Sequence, residues 1–359
     1  MKKDIEWAAI SRHRGELMGL AILFVVLFHV GLPRSDMFFG LKRMGNIGVD
    51  IFFFLSGMGL WFSWVKNLSP LGRAVEMFYR RRFLRIYPTW LLIAGTFYIW
   101  KYLTGGKYSA NIIDLIGDIT INWDFWLHDE LTFWYVPATM MLYLFAPFYM
   151  ELVRRHPVFR WLVVVPLMWC IVVQYVTPVN HAVGHIEIFW SRVPIFFLGI
   201  NFAEAIRQKK VIDKQAWWMV IGMFALSLWA CVWLEQMRHG KFPLYTERML
   251  YIVLAITTIM IMTKLFDKMS NSLAYINRFF SFVGTISLEI YLLHVQFVLI
   301  PLERLHLGYW PTFLLTFCIS VPIAWGIGKV CGYVIDYLKG FICASGSSPK
   351  QPSHSAAQP

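Results

Sequence analysis

The chain has 359 residues, 58% of them hydrophobic and 15% charged, with a formal net charge of +12. A soluble domain carries about 25% charged residues, and here the apolar residues come in blocks and not in alternation. A soluble fold is therefore excluded, and an all-α polytopic integral membrane protein is expected.

A membrane span needs roughly 20 apolar residues. About ten such stretches follow one another: 15–32, 44–64, 84–103, 131–152, 159–177, 186–206, 216–234, 245–263, 279–300 and 310–335. No small-residue cleavage site follows the first, so it is expected to be a retained helix and not a removed signal peptide. The segment "NIIDLIGDITI" (residues 111–121) is amphipathic and too short to span, which suits an interfacial helix. Residues 1–340 are expected to form one transmembrane domain. The Ser/Pro/Ala-rich tail, residues 341–359, is expected to be a disordered cytoplasmic extension. Cys170, Cys231, Cys318, Cys331 and Cys343 lack CxxC spacing, so neither a disulfide framework nor a metal site is suggested.

With the N-terminus in the cytoplasm, most of the 33 lysines and arginines fall in cytoplasmic segments, whereas acidic residues divide almost evenly. That bias follows the positive-inside rule, and ten spans return the C-terminus to the same side. The net positive charge thus reports topology and contact with membrane lipids, not nucleic acid. The loop from Lys66 to Arg85 is the most basic. The loop around Asp114, Asp118, Asp124, Asp129 and Glu130 is acidic and expected outside.

At about 1.5 Å per residue, His29 in "GLAILFVVLFHVG" lies roughly 21 Å from the inner boundary of the first span. Asp50 and Arg192 lie about 9 Å from the outer boundary, and His294 about 22 Å from the inner one. Four ionisable groups on four helices thus share the outer third of the membrane. Glu289 sits nearer the middle, and Lys329 can snorkel to the inner face. Singly, a membrane histidine packs against a backbone carbonyl and an Asp–Arg pair is structural. Together at one depth, where unpaired charge is costly, they are candidate site residues. In "FYRRRFLRIYP", Arg82 and Arg85 are three apart and share a helix face. Their guanidinium forks suit phosphate oxygens, and the same residues equally suit headgroup anchoring. No P-loop, GxSxG, HExxH or GxGxxG stretch occurs.

"GLAILFVVLFHVG", "GVDIFFFLSGMGLW", "RRRFLRIYP", "SRVPIFFLGI" and "ISLEIYLLHV", in this order within ten spans, resemble the acyltransferase-3 family of bacterial membrane proteins. The resemblance implies an acetyl-CoA-dependent O-acyltransferase of the bacterial inner membrane, with both termini cytoplasmic. Its acceptor would be a hydroxyl of a surface polysaccharide, a lipid-linked glycan precursor or another exported molecule. The family histidine falls on His29, its phosphate-facing basic motif on Arg82 and Arg85 beside Arg81, and its second-span motif on Asp50 and Ser56. Where the family has an arginine eleven residues before the histidine, this chain has Met18, with Arg14 one turn earlier and Arg12 nearby. Tyr143 and Pro147 fit the fourth-span motif, while Thr139 and Met140 stand where acidic residues are common.

The expected chemistry has a neutral imidazole, His29, accepting the hydroxyl proton during attack on the thioester. Asp50 is the candidate to orient the imidazole, with Arg192 or a backbone dipole at the oxyanion. His294 completes the catalytic set. Arg14, Arg81, Arg82 and Arg85 are the candidates for holding acetyl-CoA, and no metal is called for. A polytopic transporter and a non-catalytic membrane assembly protein are the alternatives.

Overall fold

The structure, a computed structural model, describes residues 5–345 apart from 68, 106–107, 209 and 239–243. It is 86% helical. The helices that build the centre and the site are α1 (Arg14–His29), α2 (Ile47–Val65), α3 (Leu71–Trp90), α4 (Tyr135–Arg155), α5 (Val193–Arg207), α6 (Lys214–Arg238), α7 (Leu244–Ser272), α8 (Ala274–Thr285), α9 (Ser287–Leu293) and α10 (Tyr309–Ser345). Among the described residues one short antiparallel pairing, Ile5–Glu6 with Val211–Ile212, ties the N-terminal segment to the turn after α5.

Every expected span falls on helix, but not every one is a simple span. Among the described residues six helices are long and apolar enough to cross a membrane, or eight when each of two bent pairs is one span. The bends are 40° between Thr177–Trp190 and Val193–Arg207 and 62° between Ala274–Thr285 and Ser287–Glu303. The first expected span is α1, only 16 residues long. The third is the latter part of a longer, more polar run in which α3 passes through a π-helical stretch, Leu91–Gly95, into Thr96–Leu103. Of the expected tail, residues 341–345 end α10 and 346–359 lie outside the described residues.

Burial separates a centre from a rim. In the apolar window of Phe39–Val65, 83% of residues are buried, against 17% in Pro157–Tyr175 and 22% in Tyr309–Leu338. α2 is thus the central helix. The rim helices expose Trp161, Trp218, Trp229 and Trp310, large side chains that suit lipid and its interface.

Apolar burial does little to hold helices together in lipid, so close backbone packing must. The sequence supplies it with glycine at the crossings. α2 packs on α5 where Gly57 faces the Phe196 carbonyl and Gly199 faces the Phe54 carbonyl, each so close that a Cβ would collide with backbone. α1 packs on α8 through Gly19 against Phe280 and Gly284 against Gly15 in the same way. Gly48 of α2 meets the Ala21 carbonyl of α1 equally closely, which sets α1 and α2 side by side, with His29 at one end of α1 and Arg14 at the other. Their separation of fifteen positions corresponds to about 22 Å of helix.

Candidate active site

Two cavities lie at the two ends of α1. The first, about 550 Å³, is walled by Arg14, Arg82, Arg85, Ser56, Tyr143 and Glu289, among others. Arg14 comes from the start of α1, where its Nε–H donates to the Leu55 carbonyl at 3.3 Å. Its guanidinium lies 3.3 Å from the Cβ position of Gly59, so the glycine of "SGMGLW" leaves it room. Arg82 and Arg85 come from one face of α3, as their three-residue spacing requires. Arg82 also stacks over Phe78 and Tyr143, at 5.8 and 6.0 Å to the ring centroids. Three cations facing one cavity form a site for a polyanion.

Not all the basic candidates face this cavity. Arg81 is exposed and does not line this cavity, bordering instead a small neighbouring pocket with Arg82 and Trp64. Arg12 pairs with Asp267 at 3.3 Å. Met18 lines the cavity beside Arg14, so the position where the resemblance leads one to expect arginine does face the site. Thr139 also lines it, its hydroxyl satisfied by the Tyr135 carbonyl at 2.7 Å, while Met140 packs among partly buried apolar residues.

The second cavity, about 520 Å³, is walled by His29, His294, Arg43, Arg248, Glu130 and Trp134, among others. His29 Nδ1 lies 2.8 Å from the Val25 carbonyl. His294 Nδ1 lies 3.0 and 2.8 Å from the carbonyls of Ile290 and Tyr291. A carbonyl can only accept, so each Nδ1 carries a proton. His294 Nε2 then accepts, and it lies 3.2 Å from His29 Nδ1. His29 Nε2 is left as a lone-pair atom with no hydrogen bond from the described residues. An imidazole held in this tautomer by two acceptors is ready to take a proton at Nε2. His294 begins a π-helical stretch, His294–Leu299, a local widening often found at functional positions.

Asp50 and Arg192 come together elsewhere. Arg192 Nε lies 3.5 Å from Asp50 Oδ1, and both side chains are fully buried. Arg192 also donates to Ser191 at 3.0 Å and Asn46 at 3.2 Å. Among the described residues neither has a hydrogen bond to His29 or His294, and neither borders either of the two cavities. The pair backs the second cavity through Trp134, over whose ring the Arg192 guanidinium sits at 5.9 Å.

Several groups at the site stand out in the structure alone. Arg248 pairs with Glu187 at 3.0 Å and Arg43 with Glu235 at 2.9 Å, and both arginines face the second cavity. Tyr291 borders both cavities. Its position three residues before His294 was the available signal, since that spacing shares a helix face.

The family model described as "Acyltransferase domain" matches residues 17–329, nearly the whole chain. The chain belongs to the acyltransferase-3 family. The match takes in α1 from Leu17, the imidazole pair and the walls of both cavities apart from Arg14. Among curated proteins, "Regulator of hypoxia-inducible factor 1" from Caenorhabditis elegans is 28% identical over 176 residues, covering 38% of this chain and 34% of that protein. The match thus spans about a third of the worm protein's length. No solved structure matches.

Proposed function

We propose that this acyltransferase moves an acetyl group from cytoplasmic acetyl-CoA to a hydroxyl of a surface polysaccharide, its lipid-linked precursor or another exported molecule. The observation that carries the reading is the pair of cavities at opposite ends of α1, one walled by Arg14, Arg82 and Arg85, the other by His29 and His294. The first suits the phosphates of a polyanionic donor, the second an acceptor hydroxyl that must lose a proton. Acetyl-CoA is held by its phosphates in the arginine cavity, and its thin pantetheine arm points the thioester toward the imidazoles. His29 Nε2 takes the hydroxyl proton as the hydroxyl oxygen attacks the thioester carbonyl. The tetrahedral intermediate expels the thiolate, and the proton passes from His29 to sulfur. His294 orients His29, a role that sequence reasoning had given to Asp50. The Asp50–Arg192 pair stiffens the wall behind Trp134. The arginine end of α1 faces the cytoplasm and the histidine end the exterior of a bacterial inner membrane.

The two bent helix pairs would also suit a transporter. Isotope exchange separates the readings. Purified protein in vesicles, given radiolabelled acetyl-CoA, should incorporate label covalently into the glycan or lipid fraction of native membranes in a His29-dependent manner. Uptake of label without covalent incorporation would overturn the acyltransfer reading for this substrate pair. Mass spectrometry of surface glycans from cells with and without the protein then identifies the acceptor.

A further inference from the structure

The reading above leaves the thioester oxygen without a partner. As the hydroxyl attacks, the carbonyl π pair moves onto that oxygen, and a negative charge at depth in a membrane needs a donor already in place. Arg192 does not border either cavity. Tyr291 does border both, and its ring lies in a contiguous row: 5.1 Å from Tyr135, 5.9 Å from His294, with His294 in turn 4.9 Å from His29, centroid to centroid.

The hydrogen bonding of Tyr291 is one-sided. The Tyr135 backbone N–H donates to its phenol oxygen at 3.1 Å, and among the described residues nothing accepts the phenol proton. Tyr135 is the first residue of the 21-residue helix α4, so this N–H is one of those a helix leaves unpaired at its start. The phenol oxygen thus caps the positive end of a long helix, which draws electron density from the oxygen and strengthens its O–H as a donor. The chain enters this arrangement through Phe133 at φ 58°. That left-handed conformation is costly for a bulky side chain and persists where the surroundings require it. Phe133 and Trp134 line the histidine cavity, while Tyr135 and Val136 line the arginine cavity. The strained turn therefore carries the chain across the partition between the two cavities.

We propose that the Tyr291 hydroxyl is the oxyanion donor, and that acyl transfer takes place at the partition it shares with Tyr135. The inference rests on the acyltransfer reading. The hydroxyl oxygen of the acceptor bonds to the thioester carbon while its proton goes to His29 Nε2. The carbonyl oxygen takes the π pair and accepts a hydrogen bond from Tyr291. Collapse restores the carbonyl, breaks the C–S bond with the pair leaving on sulfur, and the thiolate takes the proton from His29. Tyr291 keeps its own proton throughout.

The test measures transfer of label from radiolabelled acetyl-CoA into native membrane fractions by purified full-length protein. Tyr291→Phe keeps the ring and removes the donor. Its kcat should fall by about 10²–10³, the usual loss for one oxyanion donor, with KM for acetyl-CoA unchanged because Arg14, Arg82 and Arg85 are untouched. Phenylalanine also leaves the Tyr135 N–H without its acceptor, so a second variant guards against misfolding. Replacing Tyr291 with 3-fluorotyrosine and 3,5-difluorotyrosine keeps the hydroxyl while making it a stronger donor, and kcat should rise stepwise with fluorine number, which a packing role would not produce. Wild-type kcat in Tyr291→Phe, or fluorinated proteins indistinguishable from wild type, overturns the assignment and leaves the acyltransfer reading standing. A wild-type protein that binds acetyl-CoA and transfers no label overturns both.

Discussion

His294 Nε2 lies 3.2 Å from His29 Nδ1, so one imidazole accepts from the other across two helices 265 residues apart in sequence. Because the Nδ1 protons are fixed by backbone carbonyls, the arrangement leaves one basic atom, His29 Nε2, at the cavity. On the proposed mechanism the base is held by a neutral orienter, which avoids placing a carboxylate beside it at depth.

His29→Gln is the sharpest test of that atom. Glutamine keeps hydrogen-bonding groups and similar size but cannot accept a proton near neutral pH. Loss of a general base typically costs about 10²–10⁴ in rate, so acetyl transfer by His29→Gln should fall in that range and nearly match His29→Ala. Protein yield and detergent-solubilised monodispersity should stay at wild-type levels. Wild-type transfer by the glutamine variant would make His29 a packing residue.

On the proposed mechanism His294 acts through His29, and its variants should show it. His294→Ala removes one of the two acceptors of His29 Nδ1–H and leaves the Val25 carbonyl in place, so the loss should stay well below the roughly 10⁴ seen where a sole orienter is removed. The discriminating measurement is the KM–kcat split. The fall should be in kcat with KM for acetyl-CoA unchanged, and His294→Gln, whose side-chain oxygen can still accept from His29 Nδ1–H, should recover part of it. An unchanged kcat in His294→Ala would remove His294 from the mechanism.

The arginine cavity predicts the opposite split. Arg82→Ala and Arg85→Ala together remove two of three cations facing it. Each charge-assisted hydrogen bond contributes roughly 1.5–3 kcal/mol, and 1.4 kcal/mol is tenfold in affinity. KM for acetyl-CoA should therefore rise tenfold or more while the fold persists. Arg81→Ala, at an exposed position that does not line the cavity, is the control and should bind acetyl-CoA as wild type does. Equal affinity in the double variant would return Arg82 and Arg85 to headgroup anchoring.

Much of this geometry was legible in the sequence, and the limit has a physical form. Apolar block length marks helices, and all ten blocks fall on helix. Where the count becomes approximate, at α1 and α3, the helix is short or polar and is held by its neighbours. Residue number within a span gives depth, which placed His29, His294, Asp50 and Arg192 at one level. Depth is one coordinate. The rotation of each helix, which sends His294 toward His29 and Asp50 toward Arg192, is set by contacts such as Gly57 on Phe196 and Gly19 on Phe280 that no single sequence reveals. Tyr291 was hidden for another reason: in a chain with 16 tyrosines, many of them suited to the interface, one at a cavity partition has no compositional mark. Arg14 was visible as a substitute for an arginine at position 18, and only the structure separates it from Arg12.

The glycine crossings should be the most sensitive positions for folding. A Cβ at Gly199 would collide with the Phe54 carbonyl, so Gly199→Val must push α5 off α2. Overpacking of this kind costs typically about 1–3 kcal/mol or more, and it should lower the thermal midpoint of the purified protein and its yield. Gly222 is also in a helix, α6, but has nothing within 4 Å of its Cβ position. Gly222→Ala should be neutral or stabilising by up to about 1 kcal/mol. Equal behaviour of the two variants would mean that the α2–α5 contact does not hold the centre together.

The sidedness of the two cavities is the last expectation, and it follows from charge. The loop before α3 and α3 itself carry Lys66, Arg73, Arg80, Arg81, Arg82 and Arg85, and short segments this basic between spans stay cytoplasmic. That places the arginine cavity on the side where acetyl-CoA is made and the histidine cavity on the other. In a variant whose only reactive thiol is at position 75, a membrane-impermeant maleimide added to intact cells should fail to label it and should label it after permeabilisation. A single thiol at position 305, in the exposed segment after the second bent pair, should show the reverse. Labelling of position 75 in intact cells would invert the topology, and would put the arginine cavity where no cytoplasmic donor can reach it.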